Sequence, residues 1–200
     1  DIDIYVITEP ASKERERGNT WINGVEIEYF MNPPQQIRAY FAKEKSPHTA
    51  HILANGEVVL SRSDEVETLI EEAKAVLATA PPPPSDVQLK LYRYQFDDFY
   101  KDHADCLLRE DAFAVQWIRS EMAKQAVLAF CQIHRIHHDK AKRLEDQLRN
   151  LDPTFADTLK AFVLADWREQ GPYEAFRQKL ADLLGGERSR EWILRGSLDL

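Results

Sequence analysis

Cysteine is nearly absent: Cys106 and Cys131 are the only two in 200 residues, and their spacing suits neither a disulfide framework nor a metal knuckle. Each stands in an apolar, helical context, where a small buried thiol is the ordinary role. Long apolar runs are missing too. No stretch approaches the ~18–20 residues that span a bilayer, and the chain opens in strand-like sequence without a secretory or transit segment. A membrane role is therefore not expected, and the expected compartment is the cytoplasm. Basic residues are outnumbered, 26 Lys and Arg against 34 Asp and Glu, for a formal net charge of −8. That balance argues against broad binding to nucleic-acid backbones. Glycine is sparse at seven residues, and no Gly-rich phosphate loop occurs within the chain. No Ser-His-Asp or Cys-His arrangement has a motif behind it.

Histidine offers a cluster without a site. His134 and His138 stand at the i,i+4 spacing of zinc ligands, with His137 and Asp139 beside them. No glutamate follows His134 in the manner of a metalloprotease helix. The group also closes a predicted helix, where the macrodipole favours imidazolium, so capping and surface roles are expected. His48 and His51 precede a predicted strand and lack a third ligand.

What the chain has in quantity is acid, placed with a period of two. Asp1-Ile2-Asp3-Ile4-Tyr5-Val6-Ile7 and Val25-Glu26-Ile27-Glu28-Tyr29-Phe30 both read as strands with alternating carboxylates. Side chains two apart in a strand share a face, at roughly 7 Å. If the strands are neighbours, Asp1, Asp3, Glu26 and Glu28 meet in one region and repel one another unless a cation sits among them. A divalent metal site is the economical explanation. The competing reading is the solvated face of a half-exposed sheet.

The run Ala80-Pro81-Pro82-Pro83-Pro84-Ser85 divides the chain. Four prolines favour an extended polyproline segment and end any helix before it. Residues 1–80 mix strands and helices, and residues 86–200 read as helix throughout, with 81–85 as linker. Up to Ser85 there are 14 acidic and 8 basic side chains, so the acidity is concentrated where the carboxylates alternate. In the first part Asn32-Pro33-Pro34 predicts a helix to Lys43 with Asn32 as its cap. Asn55-Gly56 between two apolar runs predicts a tight hairpin over 51–60. A helix is predicted from Ser63, with Asp64 and Glu67 as a capping box and Val66, Leu69, Ile70, Ala73 and Leu77 on its apolar face. The second part predicts helices near 86–108, 111–137, 140–150, 154–169 and 172–184, the last closed by Gly185-Gly186. Short loops between them favour an up-and-down bundle. The tail Trp192-Ile193-Leu194 either packs on that bundle or meets a partner.

The carboxylate strands, the element order and the helical second part together resemble a nucleotidyltransferase of the DNA polymerase β superfamily, in its aminoglycoside (kanamycin-type) branch. The resemblance is strongest over residues 1–77. Leu53-Ala54-Asn55-Gly56-Glu57-Val58-Val59-Leu60 with the following helix resembles what that family places after its metal site, and 102–113 and 140–155 resemble its helical domains. It implies an α+β fold: a mixed-sheet catalytic domain followed by an all-α bundle. Asp1 and Asp3 match the family's Asp-x-Asp pair, and Glu26, with Glu28 as fallback, matches its third carboxylate. Two Mg2+ ions and a nucleoside triphosphate, ATP first, are implied, with a nucleoside monophosphate passed to a hydroxyl on a small molecule or protein. Asp105, Glu110 or Asp111 is the expected proton acceptor, with Asp105 put first, and Lys140 and Lys142 are the expected contacts to the triphosphate. A homodimer is also implied. The family's upstream Gly-Ser turn, whose N–H groups grip phosphate, has no counterpart here, so a longer natural polypeptide is expected. The alternative is a non-catalytic interaction protein on the same fold, such as the antitoxin-like partner of a helical toxin.

Overall fold

A computed structural model describes residues 2–44 and 47–193. The chain divides into two compact units, residues 1–80 and 81–200. Among the described residues, no helix is long and apolar enough to cross a membrane.

In the first unit, β1 (Ile2–Ile7), β2 (Glu16–Ile22) and β3 (Val25–Asn32) precede α1 (Pro34–Lys43), α2 (His48–Asn55) and α3 (Glu65–Ala78). The sheet order is β1-β3-β2, with β3 parallel to β1 and antiparallel to β2. Asn23 and Gly24 have φ of 52° and 79°. Positive φ at both central residues is the two-residue turn that matches strand twist, and it joins β2 to β3. The β2 strand has no apolar alternation to announce it. Ile37, Ala50, Leu53, Leu69 and Ala73 form the core, with Tyr5, Ile7 and Phe41 packed against it. Arg38 of α1 ties down α3 through Glu72 and Glu65, at 2.8 Å to each.

The Asn-Gly hairpin predicted over 51–60 does not form. Residues 48–55 are helical, and Thr49, Ala50 and Leu53 turn inward together, a helical rather than a strand spacing. Asn55 Nδ2 donates back to the His51 carbonyl at 2.8 Å, and Gly56 has φ −77°, so no left-handed turn follows. The asparagine–glycine signature operates at 23–24 instead. Asn32 does not cap α1: it ends β3, and its Nδ2 donates to the Tyr5 hydroxyl at 3.0 Å. Asp64 makes no side-chain cap on α3.

The second unit comprises α4 (Asp86–Leu108), α5 (Ala112–Ile133), α6 (Ala141–Leu151), α7 (Pro153–Leu164) and α8 (Gln170–Leu184). The starts are chemically marked. Ser85 and Gln88 form a reciprocal capping box on α4, Asp111 accepts from the Ala114 N–H, and Asp152 accepts from the Phe155 N–H ahead of Pro153. At the far end Gly185 takes the left-handed conformation that closes α8. Stacked aromatic pairs fill the core, Phe130 with Phe155 and Phe162 with Phe176 at 4.3 and 4.2 Å. In the tail, Trp192 stacks on Tyr94 at 4.8 Å, so this part packs on the bundle; Leu194 lies outside the described residues.

Helices α5 and α7 end earlier than predicted. The first stops before Arg135, at φ 56°. The second gives way to a loop that a buried cation holds. Arg119 is 2% exposed and donates to the carbonyls of Asp166, Trp167 and Glu169 at 2.9–3.1 Å. Its Nε donates to His103 Nε2 at 3.1 Å, and the His103 ring stacks on Tyr173 at 4.0 Å. A buried guanidinium is tolerated because each of its three nitrogens meets an acceptor.

Burial, and then the adjacent Arg119 charge, lower His103 from the ordinary 6.5 to about 4. Between those values the unfolded chain binds a proton that the folded chain refuses, so stability falls as pH drops from 6.5 towards 4. The loss attributable to His103 reaches about 3 kcal/mol at completion. Urea unfolding at pH 7, 5 and 4 should show this slope in the native protein and a shallower one in His103→Gln; identical slopes would remove His103 as the cause.

Candidate active site

The register of the sheet places the acidic side chains. Asp3 is paired with Glu28, and Glu28 with Asn19; Tyr5 is paired with Phe30, and Phe30 with Arg17; Glu26 is paired with Trp21. Partners across a sheet share a face, as do residues two apart. Asp3, Glu26 and Glu28 therefore stand on one face with Arg17 and Asn19. At the other end of the same face Tyr5 and Ile7 pack on the helical core, so the face is apolar at one end and carboxylate-bearing at the other. Burial is the first cause of the Tyr5 hydroxyl rising to about 12, and the Tyr5 and Phe30 rings stack with centroids 6.0 Å apart.

Both glutamates of β3 are engaged from β2. Arg17 donates from Nη2 and Nε to Glu28 Oε1 at 2.6 and 3.1 Å, and its guanidinium lies 4.8 Å above the Phe30 ring. Asn19 Nδ2 donates to Glu26 Oε1 at 2.6 Å. The electrostatic difference matters: Glu28 faces a full positive charge, whereas the Asn19 amide leaves the charge of Glu26 in place. Arg17, Gly18, Asn19, Glu26 and Glu28 line an open groove of about 400 Å³.

On the opposite face Gly18 is paired with Tyr29, whose hydroxyl donates to Glu16 at 2.7 Å. A Cβ on Gly18 would lie 2.6 Å from that hydroxyl. The absence of a side chain thus lets Tyr29 cross β2 and hold the two strands in register beneath the groove.

Three other expected site residues belong to the second unit. Asp105 is exposed on α4 of the second unit; Lys140 precedes α6, Lys142 lies in its first turn, and both are exposed. The expectation for Asp1 lies outside the described residues. Three carboxylates offer the hard oxygen donors that Mg2+ takes, so the donor chemistry suits that ion. Their present spacing is open: among the described residues no three His, Cys, Asp or Glu are gathered closely enough to hold a metal ion. The sequence reading passed over Arg17 and Asn19. Their placement on either side of Gly18, with Asn19 four positions before the Asn23-Gly24 turn, was the available signal.

The chain matches no protein-family model, and no curated protein matches it by sequence. It is similar to the crystal structure of a nucleotidyltransferase-like protein from Exiguobacterium sibiricum 255-15, with a TM-score of 0.53 over 92% of this chain. The fold is nucleotidyltransferase-like. Identity over the match is 15%, and this chain spans 61% of the length of that one. The likeness therefore concerns architecture: α+β, a small mixed sheet with helices and a helical second part.

Gly18→Ala should force Tyr29 off β2 and break its bond to Glu16, for a loss of about 1 kcal/mol, one hydrogen bond's net worth. Chemical denaturation measures the loss. In a Tyr29→Ala background the same change should cost much less, and an equal cost there would separate Gly18 from Tyr29.

Proposed function

We propose that the chain carries nucleotidyl-transfer chemistry on its carboxylate face. The observation that carries the reading is the register that sets Asp3, Glu28 and Glu26 on one face of a nucleotidyltransferase-like fold. The reaction joins a hydroxyl oxygen of the acceptor to the α-phosphorus of a nucleoside triphosphate, ATP in the first instance. The bond from that phosphorus to the pyrophosphate oxygen breaks, and the acceptor's proton leaves with solvent or a base. An aminoglycoside-like small molecule or a protein side chain is the acceptor class that the family likeness suggests.

In this reading Asp3 and Glu26 hold Mg2+, with Glu28 beside them. Bound there, the ion supplies charge neutralisation of the phosphates and a lowered pKa for the attacking hydroxyl. The chain's own part is placement. β3 fixes the carboxylates from the middle of the sheet, and the groove over β2 leaves them open to a charged substrate. Burial of Tyr5 and Ile7 anchors β1, so Asp3 projects from a strand whose other end is held in the core.

Calorimetry with MgATP tests the reading without knowledge of the acceptor. The native protein should bind, and Asp3→Asn should bind at least about tenfold more weakly, a loss of about 1.4 kcal/mol, with an unchanged melting temperature. Equal affinity in the two proteins would remove the carboxylate face from nucleotide binding.

A further inference from the structure

We infer that Arg17 is the phosphate-binding residue of this face. Anchored by Glu28 and Phe30, its guanidinium takes the oxygens of a polyphosphate whose cation is held by Asp3 and Glu26. The inference rests on the nucleotidyl-transfer reading and assigns to it a residue that the reading itself does not use.

The geometry separates the two glutamates by role. Glu28 receives two of the five N–H donors of Arg17 on a single oxygen. The remaining donors belong to the outer edge of a side chain that is 70% exposed. Phe30 lies under the guanidinium at 4.8 Å and orients its plane, as a ring face does for a cation. A planar fork held at its inner edge by a carboxylate and below by a ring is prepared to bind phosphate oxygens in pairs. Glu26 meets only the neutral amide of Asn19, so its charge remains available to a metal ion.

Charge balance requires such a group. A polyphosphate approaching Asp3, Glu26 and Glu28 is repelled by all three, and among the residues lining the groove Arg17 is the one cation. A purely structural role explains less. An exposed ion pair of this kind contributes about 0–1 kcal/mol, while the strand register is already held by the Asn23-Gly24 turn and by Tyr29 against Glu16.

Two probes on the full chain test the inference: Mn2+ alone, followed by the magnetic resonance of the free ion, and magnesium tripolyphosphate, followed by calorimetry in excess Mg2+. Arg17→Ala should weaken tripolyphosphate binding at least about tenfold while its Mn2+ affinity stays level or rises. Arg17→Lys, which keeps the charge and loses the fork, should restore only part of the affinity. Unaltered tripolyphosphate affinity in Arg17→Ala would overturn the inference, and so would loss of Mn2+ binding together with it, since Arg17 would then be supporting the carboxylates. Failure of the wider reading looks different: a native protein that takes up no Mn2+, yet binds metal-free tripolyphosphate through Arg17, would keep this assignment and remove the metal-dependent one.

Discussion

The register of β3 against its two neighbours governs the carboxylate face, because a strand slipped by one residue presents its other face. A slip would send Glu26 and Glu28 to the far side and bring Ile27 and Tyr29 in their place. Opposition to that slip comes from both ends and the middle. The Asn23-Gly24 turn fixes which residues of β2 and β3 can meet. Tyr29 crossing Gly18 to reach Glu16 adds a lock that a side chain at 18 would displace. At the far end, the Thr8 N–H donates to the Asn32 carbonyl at 3.0 Å and Asn32 reaches the Tyr5 hydroxyl. These contacts leave β3 one alignment, and that alignment sets Asp3, Glu26 and Glu28 on one face.

The legible parts of the sequence were those where one signal dominated. Acidic alternation in β1 and β3 placed Asp3, Glu26 and Glu28 on one face, since a period of two has no helical counterpart. The helices of the second unit announced themselves by apolar periodicity and by Gly185. Elsewhere two signals competed. Asn55-Gly56 carries a hairpin signature, but burial of Thr49, Ala50 and Leu53 on one helical face outweighed it. The strand β2 has the opposite difficulty. Glu16, Arg17, Gly18, Asn19 and Thr20 are polar or lack a side chain, and their reason for being a strand lies in β3. Arg17 and Asn19 went unread for the same cause, because a side chain that acts by crossing to its neighbour has no signature along its own strand. The loop 165–169 was likewise invisible as a loop, since what unwinds it is Arg119, nearly fifty residues earlier.

The second unit places a charge where none is expected, and its logic reverses that of the sheet. Arg119 is buried and answered by carbonyls and one imidazole, whereas Asp3, Glu26 and Glu28 lie within reach of water. A buried ion must have its geometry satisfied by the fold itself, which makes it a fixed strut. Groups near solvent can exchange partners at little cost. The same chemical types are therefore rigid in one unit and available in the other. By this measure Arg119 and His103 belong to stability, although a buried histidine–arginine contact invites a catalytic reading from a contact map alone.

The pairing on the sheet face also constrains what can bind there. A ligand carrying only positive charge would compete with Arg17 for Glu28 and would gain little beyond what the guanidinium already supplies. A purely anionic ligand would be offered one guanidinium against three carboxylates. A ligand of mixed charge, anionic groups with a hard cation attached, meets both kinds of partner at once. In the proposed reading its anionic edge goes to Arg17 and its cation to Asp3 and Glu26. A metal-complexed polyphosphate fits that description, so the distribution of charge on β1, β2 and β3 supports the proposed nucleotidyl-transfer reading through the strand register alone.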